Sequence, residues 1–69
     1  MKNKIDNLLK FLIKNDDNYI LYEEINNNHY IVFKDMIYSQ TIKKIISLKF
    51  DFMILSTIDN QIVIVLKNL

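Results

Sequence analysis

Apolar residues recur every three or four positions near the start of the chain. In NKIDNLLKFLIKN (residues 3–15), Ile5, Leu8, Leu9, Leu12 and Ile13 stand at i, i+3, i+4, i+7 and i+8, which is one face of a helix. Asn3 is placed to cap it, and Asp6 falls in its first turn near the positive end of the dipole. NDDN (15–18) stops the helix and reads as a solvated polar turn. The period then changes to two. YILYEEI (19–25) and HYIVFK (29–34) are rich in β-branched and aromatic residues and flank a run of three asparagines, so they predict a hairpin. SQTIKKIISLK (39–49) returns to the helical period, with Ser39 as N-cap and a stripe of Tyr38, Ile42, Ile45 and Ile46. FDFMILSTI (50–58) and QIVIVLK (61–67) predict two more strands joined through Asp59-Asn60. The order is α-β-β-α-β-β within a single domain spanning 1–69.

The second half echoes the first. EEINNNHYIVFK (23–34) and STIDNQIVIVLK (56–67) lie 33 residues apart. That shift aligns Lys10 with Lys43, Ile13 with Ile46, Ile25 with Ile58, Asn27 with Asn60, Ile31 with Ile64, Val32 with Val65, and Lys34 with Lys67. These are seven identities in 36 pairs, where a composition this biased gives about four by chance. Matches of residue type, such as Leu12 with Ile45 and Tyr19 with Phe52, add to the case. Two αββ units, 3–35 and 36–69, are the reading this suggests.

Such a chain folds as an α+β protein, with a four-stranded antiparallel sheet and two helices on one face. Both faces of each strand are apolar. Leu21, Ile25, Ile31 and Phe33 alternate with Ile20, Tyr22, Tyr30 and Val32, while Ile54, Ile58, Ile64 and Leu66 alternate with Met53, Leu55, Val63 and Val65. A sheet with one wet face would alternate apolar with polar. Two helices cover one face, so the other exposes an apolar patch of the kind that marks an interface. Tyr22, Tyr30, Val32, Met53, Leu55, Val63 and Val65 are the candidate contact residues, with tyrosine a common anchor type. A homodimer packed sheet to sheet would close the patch, and so would a protein target. Which residues share a face depends on whether each hairpin loop holds two or three residues.

Composition removes most other chemistry. At 69 residues the core is small, and with no cysteine there are neither disulfides nor thiolate metal sites to staple it. A single histidine excludes a histidine-rich metal centre within one chain. With no glycine, neither GxGxxG nor a phosphate-binding P-loop can be present, and no cofactor is expected. Glu23 and Glu24 are adjacent in a strand and point to opposite faces, so they cannot form a carboxylate pair. His29 reads as an exposed turn residue, since no nucleophile and orienting acid accompany it locally. No catalytic residue is assigned. No apolar run approaches the ~20 residues of a membrane span, and a cytoplasmic location is the default.

The net charge is +1, and all nine basic residues are lysine. Lys10, Lys14, Lys43, Lys44 and Lys49 fall on the two helices and form a candidate nucleic-acid contact. The absence of arginine argues against bidentate base reading. The expectation is therefore a small non-enzymatic protein-interaction module. A mobile-element or phage-type stoichiometric inhibitor or regulator, acting by surface occlusion, is the analogy that fits. A nucleic-acid-binding regulator is the alternative.

Overall fold

The computed structural model describes residues 2–67. Helix α1 spans Lys2–Asn15 and is followed by β1 (Tyr19–Ile25) and β2 (Asn28–Lys34). Helix α2 spans Ser39–Ser47 and is followed by β3 (Asp51–Ser56) and β4 (Gln61–Lys67). The strands form one antiparallel sheet in the order β1-β2-β4-β3, and both helices lie on one face of it. From the helices, Ile5, Leu8, Leu12 and Ile45 meet Ile31, Phe33, Ile64 and Leu66 of the two central strands, with Phe50 closing one end. All of these except Ile5 and Phe50 are fully buried.

The two halves are related by position. In the central pairing, Ile31 of β2 lies opposite Ile64 of β4, its counterpart 33 residues on. Tyr30 opposite Val65 and Val32 opposite Val63 are then two views of the same pair. Leu8 and Thr41, Leu12 and Ile45, and Phe33 and Leu66 are likewise 33 apart and all fully buried. The sheet therefore has an approximate two-fold axis through the Ile31–Ile64 pair.

One extra residue is handled differently in each hairpin. Tyr19 opposes Phe33, and Phe52 opposes Leu66, so both hairpins start in the same register. In the first, a bulge at Ile20 shifts the ladder by one, and a two-residue turn closes it. That turn is Asn26-Asn27, with φ of 51° and 69°, the positive values a tight type I′ hairpin requires. In the second, the ladder runs unbroken and the residue goes into the turn: the Thr57 N–H bonds to the Gln61 carbonyl at 2.9 Å, and Asn60 has φ 59°. This places Ile58 at the tip, 98% exposed, rather than on the β3 face expected from alternation.

The helices also differ from the sequence reading at their ends. α1 begins at Lys2, so Asn3 stands inside the helix rather than capping it, and Asp6 lies past the first turn. Ile13 and Ile46, counted with the apolar stripes, are 74% and 56% exposed. The N-cap of α2 is Tyr38, with no cap bond from its own side chain, and Ser39 is the first helical residue. The cap comes from the other half of the chain. Asp16 Oδ2 accepts from Thr41 Oγ1 at 2.6 Å and from the Tyr38 N–H at 3.4 Å. Its Oδ1 accepts from the Asn18 backbone and side-chain nitrogens at 2.9 and 3.1 Å. A carboxylate there also meets the positive end of the helix dipole. Asp16 is thus buried, not the solvated turn residue its neighbours suggested.

Two stability effects follow. Asp16→Ala leaves the buried Thr41 hydroxyl without its acceptor and should destabilise by about 2–3 kcal/mol in urea unfolding, a large share of the roughly 3–10 kcal/mol expected for a domain of this size. Asn27→Gly relieves a left-handed residue at the turn and should stabilise by about 0.5–1 kcal/mol, read as a raised melting temperature.

Candidate functional site

Strand alternation and the two registers decide what the uncovered face displays. One row across the sheet is Leu21–Val32–Val63–Leu55, apolar from edge to edge. The next is Glu23–Tyr30–Val65–Met53, and beyond it comes Ile25–Asn28–Lys67–Asp51. Lys34 and Gln61 close the other end. Leu21, Ile25, Met53 and Leu55 are each nearly half exposed, while Val65 at the centre is 8% exposed because its neighbours crowd it. At a strand spacing of ~4.8 Å and a rise of ~3.4 Å per residue, the face has a footprint of roughly 400 Å².

Six of the seven contact residues expected from the sequence meet on this face: Tyr30, Val32, Met53, Leu55, Val63 and Val65. Tyr22 does not. The bulge turns it to the helix side, opposite Ile31, and brings Leu21 and Ile25 to the open face instead. No residue in YILYEEI marks the bulge, so local alternation alone could not place these three side chains.

Tyr22 has a different partner. Its hydroxyl lies 2.7 Å from His29 Nδ1, and the two rings stack with centroids 5.9 Å apart. His29 is only 5% exposed, which overturns its reading as a solvated turn residue. Its Nε2 is buried and has no hydrogen-bond partner among the described residues. Glu24 stands opposite His29 across the β1–β2 ladder, while Glu23 is on the other face. Among the described residues no three His, Cys, Asp or Glu side chains gather where they could hold a metal ion.

The five lysines do not share one environment. Lys10 lies between the buried Leu8 and Leu12, and Lys43 between the buried Thr41 and Ile45, so each points away from the sheet. Lys14 and Lys49 are exposed, and Lys49 sits just past α2 with φ 65°. Lys44 is half-buried, its Nζ 5.6 Å from the Phe11 ring centroid. Its charge is spent partly on that ring rather than presented with the others.

The fold and its surface define a small two-layer α+β protein with one apolar sheet face uncovered. No helix among the described residues is long and apolar enough to cross a membrane. No family model, curated protein or solved structure matches the chain.

Two tyrosines on the helix side give the fold a pH signature. Burial raises the Tyr22 phenol above its ordinary value, and Glu24, Asp6 and Tyr19 raise it further. Burial also raises Tyr19. A folded value above the unfolded one means that stability is complete below about pH 10 and falls as pH climbs through the raised folded values. Urea unfolding between about pH 9 and pH 11.5 should show that fall, and the Tyr19→Phe/Tyr22→Phe double variant should show a shallower slope.

Proposed function

We propose that the chain is a small, non-enzymatic protein-interaction module of the cytoplasm. It covers a functional surface of a larger protein in a fixed ratio, as a mobile-element or phage-type inhibitor or regulator does. The observation that supports this reading is the row Leu21–Val32–Val63–Leu55, which leaves the middle of the open sheet face without a polar side chain. A soluble sheet with that face bare places polar residues there. Tyr30, between Val65 and Glu23, supplies the aromatic anchor, with a hydroxyl to hydrogen-bond at the partner's surface. The partner's matching surface is flat and apolar, and Glu23, Lys34, Asp51 and Lys67 lie toward the rim.

A photoreactive residue at Leu55 tests this in cells, with one at Lys14 as the control on the far side. The adduct from Leu55 identifies the partner, which is then purified and titrated. Val32→Glu should weaken binding at least about tenfold, which is about 1.4 kcal/mol. Lys10→Glu/Lys43→Glu should change it by less than roughly twofold. Circular dichroism confirms that each variant is folded. The opposite pattern, with tight binding to a nucleic-acid probe that weakens steeply between about 50 and 200 mM salt, would replace this reading with the lysine-based one.

A further inference from the structure

The two edges of the sheet are unlike. β1 carries the bulge at Ile20 and the adjacent charges Glu23 and Glu24, features that discourage another strand from adding. β3 has neither. It pairs with β4 without a register shift from Asp51 to Ser56, and Phe52-Met53-Ile54-Leu55 contains no charge and no proline. Apart from Phe52, which is half-buried against the core, its apolar side chains are bare on both faces of the sheet. Met53 and Leu55 are 48% and 46% exposed on the open face. Ile54 is 48% exposed on the helix face, although its neighbour Ile64 is completely buried. The core under the helices reaches Phe52 of β3 but leaves Ile54 uncovered. A flat, uncharged, apolar edge of this kind is a template for strand addition.

We infer that the β3 edges of two copies pair antiparallel about a two-fold axis at Ile54, joining two four-stranded sheets into one of eight strands. Charge favours a second copy as the occupant. Asp51 is the one charged residue in β3, and an antiparallel two-fold sends its two copies to opposite ends. The same operation at β1 would crowd Glu23 and Glu24 against their own copies. Alternation selects the register. With Ile54 opposite Ile54, Met53 lies opposite Leu55 on the open face, and the helices of both copies stay on the other. Shape agrees with that register. It carries the exposed tip residue Ile58 alongside the Phe50–Asp51 start of the other β3. A shallow recess of about 330 Å³, lined by Asp51, Phe52, Met53 and Lys67, lies there. Each copy offers the same projection and the same recess, so the contact is reciprocal, as a two-fold interface requires.

Edge pairing also enlarges the open face. A protein partner usually contributes about 800 Å² to a stable interface. One open face supplies roughly half of that, so two faces packed on each other make a small contact. Joined edge to edge, two copies present a continuous open face with a footprint of roughly 800 Å², apolar along its middle rows. That gain rests on the reading of the open face given above, whereas the edge pairing itself does not.

The test uses the full chain, which has no cysteine of its own. Light scattering over a concentration series should show a monomer–dimer equilibrium. Ile58→Asp, a change at a fully exposed turn residue, should weaken it at least about tenfold, while Val32→Glu should leave it within roughly twofold. Under mild oxidation Ile54→Cys should form a covalent dimer faster than Leu21→Cys, whose parent residue is 45% exposed but lies on β1. A chain that stays monomeric at all concentrations overturns the inference. So does a dimer that is weakened by Val32→Glu and insensitive to Ile58→Asp, because that is the sheet-to-sheet form. Loss of partner binding by Val32→Glu in a monomeric chain would retain the open-face reading while removing the edge pairing.

Discussion

The pairing of β2 with β4 through Ile31 and Ile64 is the constraint on which the rest of the fold depends. These two strands carry four of the fully buried core residues, Ile31, Phe33, Ile64 and Leu66. They also join the halves of the chain, since among the described residues no other ladder crosses between them. Because the pair is made of counterparts 33 residues apart, the order of elements and the buried positions of one half recur in the other at two-fold-related places. The helices follow from it. Leu12 and Ile45 descend on the same central strands from either side, and Lys10 and Lys43 are turned outward for the same reason. The symmetry is one of position, carried by side-chain size and burial more than by identity. Thr41 fills the place of Leu8, and its hydroxyl is satisfied by Asp16 at 2.6 Å.

Periodicity made the elements readable. The 3.6-residue stripe through Leu8 and Leu12, and the β-branched runs around Ile31 and Ile64, mark helix and strand without ambiguity. The α-β-β-α-β-β order and the single antiparallel sheet follow from them. What the sequence did not reveal depends on partners far along the chain. Asp16 looks like a loop residue among asparagines until Thr41, 25 positions on, supplies its hydrogen bond. His29 looks like a turn residue because it directly follows three asparagines. The two-residue Asn26-Asn27 turn puts it inside the ladder, against Tyr22. The face of Tyr22 is not legible either, because a bulge has no sequence signature here, and one unpaired residue exchanges the faces of all that follow.

The same residue count, spent on a bulge in one hairpin and on a longer turn in the other, breaks the symmetry where it matters for assembly. In β1 the bulge twists the edge and brings Leu21 and Ile25 to the open face. In β3 the unbroken ladder leaves a flat edge and sends Ile58 out at the tip. A perfectly symmetric chain would have two equivalent edges, and a two-ended template can polymerise. With β1 blunted and β3 bare, edge pairing through β3 would close at two copies.

The composition of the open face is not explained by the needs of the fold. The core is complete on the helix side, where the helices and the inward residues of β2 and β4 bury one another. Strand propensity does not demand apolar residues on the outer side either, because threonine is as suited to a strand as valine and is at home in water. The chain places its two threonines elsewhere, at Thr41 in a helix and Thr57 at a turn. Tyr30, Val32, Val63 and Val65 occupy the centre of the face instead. Apolar residues on an uncovered face invite association. Their presence in the middle, with the charges kept to Glu23, Lys34, Asp51 and Lys67 around them, is what the proposed contact with a flat apolar partner surface requires.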